Sequence, residues 1–441
     1  MDDHSSTEGG ECDGDRGVSL EQGGAVMRIL RLEKSSGLLA KLAARGMADA
    51  SRVEPVVRKI VVDVRKNGDA ALRRYASKLD GLGKTAALRV STEELKSAWD
   101  ATRSEFKQAI RAAAKNIERF ARWQMPKSWT RDAGDGIELG QIIRPIESVG
   151  CYVPGGRYPL PSTVLMTVVP ARVAGVERVV VVSPNPARET LAAAYLLGVG
   201  EFYRIGGAQA VAALAYGTES VERVAKIVGP GNIFVTTAKK LVAFDCAIDM
   251  LAGPTEAAIV SERGNARFIA ADLVAQAEHD PETMVAFFTT SPSLADAVKK
   301  QVALLAAKNT IARKALATRG YIFVAQDIAQ AMEAANQFAS EHLTVDEDLL
   351  ETVSSAGSVF VGDYSAQSFG DYASGPNHVL PTGGLARVRG GLSVLDYVKI
   401  ITVQKISRKG LRALAPIAET LAAAEGLVAH GQSVAIRRAN A

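Results

Sequence analysis

Histidine is scarce in this 441-residue chain, which contains five, so the positions of the histidines are informative. Gln276 and His279 lie three residues apart near the end of a predicted helix, and this spacing puts both side chains on one face, as a two-point metal site requires. A helix end on the surface would also explain this pair. Glu341 and His342 are adjacent at the predicted end of another helix, where a carboxylate and an imidazole could exchange protons with a substrate. A histidine stabilised by the helix dipole is an equally good explanation.

Two further segments combine carboxylates with imidazoles. Residues 370–378 (GDYASGPNH) place Asp371 and His378 among turn-forming residues, a composition found in ordinary loops and in ligand-binding loops. Near the C-terminus, Glu425 and His430 repeat the combination, although a solvated helix end would account for them too.

Three glycine-rich turns each follow a short apolar segment and precede a predicted helix. They span residues 153–156, 206–209 and 229–232, and a polar residue accompanies each of them, namely Tyr152, Gln209 and Asn232. At such junctions backbone N–H groups point outward and favour an anion such as a pyrophosphate. Turn chemistry explains any single one of these segments, but three together favour a ligand cleft. The sequence contains neither GxGxxG nor GxxxxGK[ST].

The elements that must position these residues follow a repeated pattern. Short β-branched runs alternate with helices over about 179–243 and again over 257–361, which is typical of parallel sheets covered by helices. We therefore predict an α/β fold with two doubly wound, incomplete Rossmann-like units. Upstream of them the apolar periodicity predicts helices at 53–67, 69–79 and 92–123.

The domain organisation that we predict has five parts. They are a disordered leader at 1–26, an N-terminal helical arm at 27–48, a first Rossmann-like domain formed by 49–150 with 255–390, a second at 151–254 that carries the glycine-rich turns, and an extended and helical C-terminal tail at 391–441.

Composition excludes several classes of function. The net charge is +4 with no basic stripe, which argues against a nucleic-acid partner. No apolar run reaches the roughly 18 residues of a membrane span. The three cysteines, Cys12, Cys151 and Cys246, are too far apart for a disulfide framework or a CxxC metal site. This usage indicates a reducing compartment, which we take to be the cytoplasm.

Taken together, these stretches resemble histidinol dehydrogenase from about Arg28 to Arg438. The motifs that carry the resemblance occur in a fixed order, which makes it specific. They are 149–156 (VGCYVPGG), 206–210 (GGAQA), 229–232 (GPGN), 252–256 (AGPTE), 276–279 (QAEH), 340–343 (SEHL), 370–381 (GDYASGPNHVLP), 424–425 (AE) and 429–430 (AH). The family usually has serine where this chain has Thr255, and the added methyl group could change substrate fit by about 1–3 kcal/mol.

The resemblance implies a cytoplasmic enzyme of histidine biosynthesis that oxidises L-histidinol to L-histidine through an aldehyde, with two hydride transfers to NAD. It implies one zinc ion per subunit and a homodimer whose C-terminal tail reaches the partner's active site. In the family's scheme His342 takes the alcohol proton and Glu341 activates water. The matching positions are Gln276, His279, Asp371 and His430 for zinc; Glu341 and His342 for acid–base chemistry; Tyr152, Gln209 and Asn232 for NAD; and Thr255, Gln276, His279, His342, Asp371, Glu425 and His430 for substrate.

Three alternatives remain open at this point. A related enzyme could use zinc and NAD to oxidise another polar alcohol, such as a sulfonated diol. An aldehyde dehydrogenase could use Cys151 as its nucleophile. A non-catalytic scaffold stabilised by zinc would have no need of Glu341 and His342.

Overall fold

The computed structural model describes residues 27–45, 50–83, 85–155 and 158–439, so the predicted leader at 1–26 lies outside the described residues. The strands are β1 (Arg28–Arg31), β2 (Arg89–Val90), β3 (Trp129–Asp132), β4 (Ile137–Pro145), β5 (Ser148–Tyr152), β6 (Arg178–Val182), β7 (Glu201–Tyr203), β8 (Lys226–Val228), β9 (Ala247–Ile248), β10 (Glu256–Val260), β11 (Met284–Thr289), β12 (Gly320–Val324), β13 (His342–Val345), β14 (Ser358–Val361) and β15 (Val398–Ile406). The helices are α1 (Ser36–Ala43), α2 (Glu54–Leu79), α3 (Thr92–Asp100), α4 (Ser104–Gln124), α5 (Pro161–Ala174), α6 (Arg188–Leu196), α7 (Gly207–Tyr216), α8 (Ile233–Val242), α9 (Ala266–Ala277), α10 (Pro292–Leu305), α11 (Thr310–Arg319), α12 (Ile328–Phe338), α13 (Gln367–Tyr372), α14 (Arg408–Ala424) and α15 (Val428–Ala439).

Two six-stranded sheets form the centres of two units, and this confirms the predicted α/β fold class. The first unit, here called the turn unit because it carries the glycine-rich turns, is built on the sheet β2-β7-β6-β5-β8-β9. The second, here called the histidine unit because it carries His279 and His342, is built on the sheet β1-β12-β11-β10-β13-β14. All pairings in these sheets are parallel except that of β2 with β7. Helices cover both faces of each sheet, so the central strands β10 and β11 are buried over their whole length and are mostly apolar, apart from Glu256 and Thr289 at their ends.

The predicted domain organisation differs from the structure in two segments, 49–150 and 27–48. Residues 49–150 do not join residues 255–390, because they contribute β2, β5 and α2 to the turn unit. The apolar face of α2 packs there in one cluster with Tyr152 and with residues of α7 and α8. In addition, the predicted helical arm at 27–48 begins with a strand, since β1 pairs with β12 at the edge of the histidine sheet.

Of the helices predicted upstream of residue 124, one prediction agrees with the structure and one does not. The predicted break between 53–67 and 69–79 is confirmed, because Gly68 has a non-helical φ of 49° and the Asp69 N–H bonds to Glu219 instead of continuing the helix. The single helix predicted at 92–123 is wrong. It is split into α3 and α4, because Arg103 has an extended backbone conformation (φ −63°, ψ 148°) that interrupts the helix before Ser104.

The C-terminal tail forms the third sheet. β15 pairs antiparallel with β4 over nine residues, and β3 completes the order β15-β4-β3. Helices α14 and α15 follow and pack on each other, and α15 buries none of its described side chains. Among the helices of the described part, none is long and apolar enough to cross a bilayer.

Candidate active site

A cleft of about 780 Å³ lies between the two units. Its walls come from the segments that follow strands β5 and β8 of the turn unit and from the segments that precede strands β10, β11 and β13 of the histidine unit. The carboxyl end of one sheet therefore faces the amino end of the other. This differs from the prediction for Glu341 and His342, which do not end a helix, because α12 stops at Phe338 and His342 is the first residue of β13.

Asp371 is the centre of the polar contacts in this cleft. One carboxylate oxygen accepts a hydrogen bond from His342 Nε2 at 3.1 Å, and the other accepts one from Gln276 Nε2 at 3.2 Å. The His342 ring stacks on Phe360 with a centroid separation of 5.8 Å, which fixes its plane. Because a carboxylate only accepts, the hydrogen of the neutral ring lies on Nε2 and the lone pair on Nδ1.

Glu341 and His342 form a buried acid–base pair. Glu341 Oε2 lies 3.9 Å from His342 Nδ1 and accepts the N–H of Glu256 at 3.2 Å. Burial raises the pKa of Glu341 to about 8. Burial lowers the pKa of His342, but the hydrogen bond to Asp371 and the charge of Glu341 outweigh that effect and leave the pKa above its ordinary value. Two coupled groups with raised pKa values can exchange protons with a ligand near neutral pH.

Two more ionisable side chains of this site, Asp371 and His279, have shifted pKa values. Burial raises the pKa of Asp371, yet its hydrogen bond with His342 and the charge of that ring bring it below the ordinary value. Burial lowers the pKa of His279, so its imidazole is biased towards the neutral, ligating form.

The structure brings together part of the residues that the sequence singled out. Asn232, Thr255, His279, Glu341, His342 and Asp371 line the cleft. Gln276 lies behind Asp371, to which it is hydrogen-bonded. Glu425 and His430 are exposed on the tail and are not among the residues that line the cleft in one chain.

Tyr152 and Gln209 are buried instead of facing the cleft. The Tyr152 hydroxyl accepts the Gly207 N–H at 3.0 Å, and Gln209 Nε2 donates to Asp80 at 3.0 Å. Asp80 also accepts the Gly206 N–H at 3.0 Å. Two of the N–H groups that the sequence suggested for a pyrophosphate at this turn, those of Gly206 and Gly207, are thus bonded within the protein, and a role of the turn at 206–209 in NAD binding stays a prediction.

Close packing explains the glycines of these turns. A Cβ on Gly155 would lie 1.9 Å from the Pro184 carbonyl oxygen, and one on Gly206 would lie 2.4 Å from the Pro184 ring. Gly156, the last residue of the first turn, lies outside the described residues. Backbone crowding against Pro184 therefore requires the absence of a side chain at Gly155 and Gly206.

His378 has a place that its sequence position did not reveal. Its Nδ1 donates to the Asp371 carbonyl at 2.8 Å, and because a carbonyl only accepts, its Nε2 accepts from the Thr163 hydroxyl at 3.1 Å. Thr163 belongs to α5 of the turn unit, so this histidine connects the Asp371 segment to the opposite wall of the cleft.

Several cleft residues were missed by the sequence reasoning. They are Tyr158, Lys240, Asp280, Glu282 and Tyr372. The sequence signal that could have identified them is that each lies within or near a predicted motif or next to a predicted site residue. Asp280 and Glu282 add negative charge beside His279, whereas Lys240 is the one lysine or arginine among the described lining residues.

The donor atoms of this site are compatible with zinc. Gln276 Oε1 is buried and has no hydrogen-bond partner among the described residues, and the Asp371 carboxylate and the His279 imidazole belong to the same site. Oxygen and imidazole nitrogen are common zinc ligands. Within the described part of one chain, however, no three His, Cys, Asp or Glu side chains are grouped closely enough to hold a metal ion.

Cys151 does not have the properties of a nucleophile. It lies inside β5 with no exposed surface, and burial raises the pKa of its thiol to about 12. A nucleophilic cysteine needs access and a thiolate. The alternative of a cysteine-dependent aldehyde dehydrogenase is therefore wrong.

Comparison with known proteins gives a consistent result. The model of the histidinol dehydrogenase family matches residues 43–438. Histidinol dehydrogenase from Methanothermobacter thermautotrophicus is 46% identical over 409 residues, covering 90% of this chain and 96% of the relative. The enzyme from Vibrio parahaemolyticus is 44% identical over 425 residues, covering 93% and 97%. The crystal structure of histidinol dehydrogenase from Elizabethkingia anophelis superposes with a TM-score of 0.89 at 35% identity, covering 95% of this chain and 99% of that one.

Proposed function

The chain belongs to the histidinol dehydrogenase family of oxidoreductases, and we propose that it oxidises L-histidinol to L-histidine, with NAD accepting two hydrides in turn. The observation that carries the proposal is the buried Glu341–His342 pair, which faces Asp371 in the cleft between the units. The test is to supply purified protein with L-histidinol and NAD and to count NADH, with two expected per substrate. No NADH in the presence of zinc would refute the proposal.

His342 acts as the base in the first oxidation. Its Nδ1 is buried and has no hydrogen-bond partner among the described residues, whereas Nε2 is hydrogen-bonded to Asp371. Nδ1 takes the proton of the substrate hydroxyl, and bound NAD would accept the hydride from the carbon that carries this hydroxyl, so that the aldehyde forms. The hydrogen bond to Asp371 stabilises the imidazolium that forms.

Glu341 acts in the second oxidation. As a carboxylate it takes a proton from water, which adds to the aldehyde, and the resulting hydrate gives up a second hydride to form the carboxylate product. The Glu256 N–H, which bonds to Glu341 Oε2, supports the ionised form. Both oxidations in one cleft keep the reactive aldehyde away from solvent.

Zinc would be held by Gln276, His279 and Asp371 together with His430 of the partner subunit. When bound, the ion orients the substrate's imidazole and amino nitrogens, and such placement can contribute on the order of 7 kcal/mol or more at best. Thr255, Glu425 and His430 would complete substrate binding. Loss of NADH production after chelation, and its return with zinc, would support the metal requirement.

A homodimer with a shared site accounts for the exposed tail. His430 and Glu425 do not line the cleft of their own chain. The tail also presents large apolar side chains to solvent, namely Ile400, Ile401, Ile417, Leu421, Val428 and Ile436. Several large apolar side chains exposed on one segment are typical of a surface that contacts another subunit. A monomeric mass in solution would contradict this part of the proposal.

NAD would bind against the turn at 229–232, where Pro230, Gly231 and Asn232 line the cleft. The buried Tyr152 and Gln209 would contribute to NAD binding by shaping the neighbouring turn. The enzyme would work in the cytoplasm, as its cysteine usage suggests.

Because Thr255 lines the cleft, the methyl group that it adds relative to serine could favour another polar alcohol as substrate. A panel of polar alcohols in the same NADH assay tests that second candidate.

A further inference from the structure

Two buried charges enclose Gly229, the residue that opens the turn at 229–232. Asp249 Oδ2 accepts the Gly229 N–H at 2.7 Å, and Lys239 Nζ donates to the Gly229 carbonyl at 3.0 Å. Lys239 also donates to the second oxygen of Asp249, which completes an ion pair. The side chains of Lys239 and Asp249 are only 3% and 0% exposed.

The backbone at Gly229 adopts a conformation that needs such support. Its φ of 111° is one that other residues rarely adopt, and a Cβ would lie 2.2 Å from the Tyr152 carbonyl oxygen. The next residue, Pro230, has no N–H with which to anchor the turn. The directions of the two peptide groups that flank Gly229 are therefore set by Lys239 and Asp249.

These two peptide groups determine where the following residues lie. Pro230, Gly231 and Asn232 line the cleft directly after them. The Asn232 side chain accepts the N–H groups of Phe234 and Val235 and thereby begins α8, the helix that carries Lys239. The turn at 229–232, the helix α8 that follows it and the Lys239–Asp249 ion pair are thus connected to one another by hydrogen bonds.

Stability alone is a poor explanation for this ion pair. Taking two charges out of water costs free energy, and well-packed apolar residues often serve equally well in a buried position. Two apolar side chains at positions 239 and 249, however, could not form hydrogen bonds with the N–H and the carbonyl of Gly229. We propose that Lys239 and Asp249 are positioning residues that hold the 229–232 turn in the orientation needed to bind the dinucleotide. This inference rests on the proposed function, because NAD is the ligand assigned to that turn.

The test compares the full-length protein with three variants in an NADH titration followed by fluorescence. Lys239→Met removes the ammonium group. Lys239→Met combined with Asp249→Leu removes both charges, so that no unpaired charge stays buried if the single variant unfolds. Lys226→Met is the control, since Lys226, on β8 of the same unit, forms a less buried pair with Asp396, with side chains 14% and 15% exposed, and donates its hydrogen bonds to Asp396 and not to the turn.

We expect both Lys239 variants to bind NADH at least tenfold more weakly, with the KM for NAD raised, kcat at saturating NAD within threefold, and an unchanged KM for histidinol. Lys226→Met should bind NADH like the native protein. Hydrogen exchange followed by mass spectrometry should show faster exchange around 229–232 in the Lys239 variants only, and this readout needs neither ligand nor turnover.

Native-like NADH binding by the folded double variant would overturn the inference, as would equal weakening in Lys226→Met. Unchanged hydrogen exchange around 229–232 would overturn it as well. These results differ from a failure of the proposed function, which would appear as a native protein that does not reduce NAD with L-histidinol.

Discussion

The position of His430 outside the cleft of its own chain leads to a quantitative prediction about mixed dimers. His342 lines the cleft, whereas His430 lies on the exposed helix α15. If each site combines His342 of one subunit with His430 of the other, His342→Ala and His430→Ala should each be nearly inactive as separate homodimers. A mixed dimer, however, contains one doubly defective site and one intact site.

The expected magnitude follows from the geometry of a two-fold dimer. Random exchange between equal amounts of the two variants makes about half of the dimers mixed, and half of the sites in those dimers are intact, so activity should recover to roughly a quarter of the native value. The assay is NADH formation from L-histidinol after the variants are mixed, partly unfolded and refolded together. The native protein treated in the same way is the control. No recovery despite demonstrated mixed dimers would refute the shared site, because every chain would then carry its own defect.

Three further predictions concern single residues. His342→Ala should keep its zinc content but lose at least about 10²-fold in kcat; loss of zinc together with activity would mean that this histidine binds the metal. Cys151→Ala should keep activity within about twofold, and Cys151 in the folded native protein should resist alkylation at pH 8, because burial raises its pKa to about 12; rapid alkylation or an inactive, folded variant would contradict the burial argument. Burial raises the pKa of Glu341 from 4.5 in the unfolded chain to about 8. Between these two pH values the folded state therefore binds more protons than the unfolded state. The contribution of Glu341 to the free energy of unfolding is thus greatest below pH 4.5 and is lost as pH rises through 8. Denaturant unfolding of metal-free protein should therefore show that Glu341→Gln flattens the decline between pH 5 and 8, and an unchanged slope would argue against the shift.

The predictions that succeeded rest on local signals. The alternation of β-branched runs with helices was sufficient to predict the two doubly wound units. A glycine within an amphipathic helical pattern was sufficient to predict the break at Gly68. The structure also brings Gln276 and His342 within hydrogen-bond distance of Asp371, while the roles that the resemblance implies for these residues stay predictions.

The predictions that failed depended on contacts between distant segments. Residues 49–150 could not be placed by periodicity, because membership of a sheet is decided by pairing with strands far along the chain. The N–H groups of Gly206 and Gly207, which were expected to point at a ligand, instead donate to Asp80 and Tyr152 from two other segments.

The three histidines that have proposed roles, His279, His342 and His430, illustrate the same division. The sequence by itself determined which residue types could do the chemistry, because a histidine next to a carboxylate and a Gln-x-x-His spacing are local features. Only the tertiary structure decided that His342 begins a strand and meets Asp371, that His279 shares its cleft, and that His430 does not. The physical reason is that pKa values and hydrogen-bond partners depend on burial and on long-range contacts, which the folded chain alone specifies.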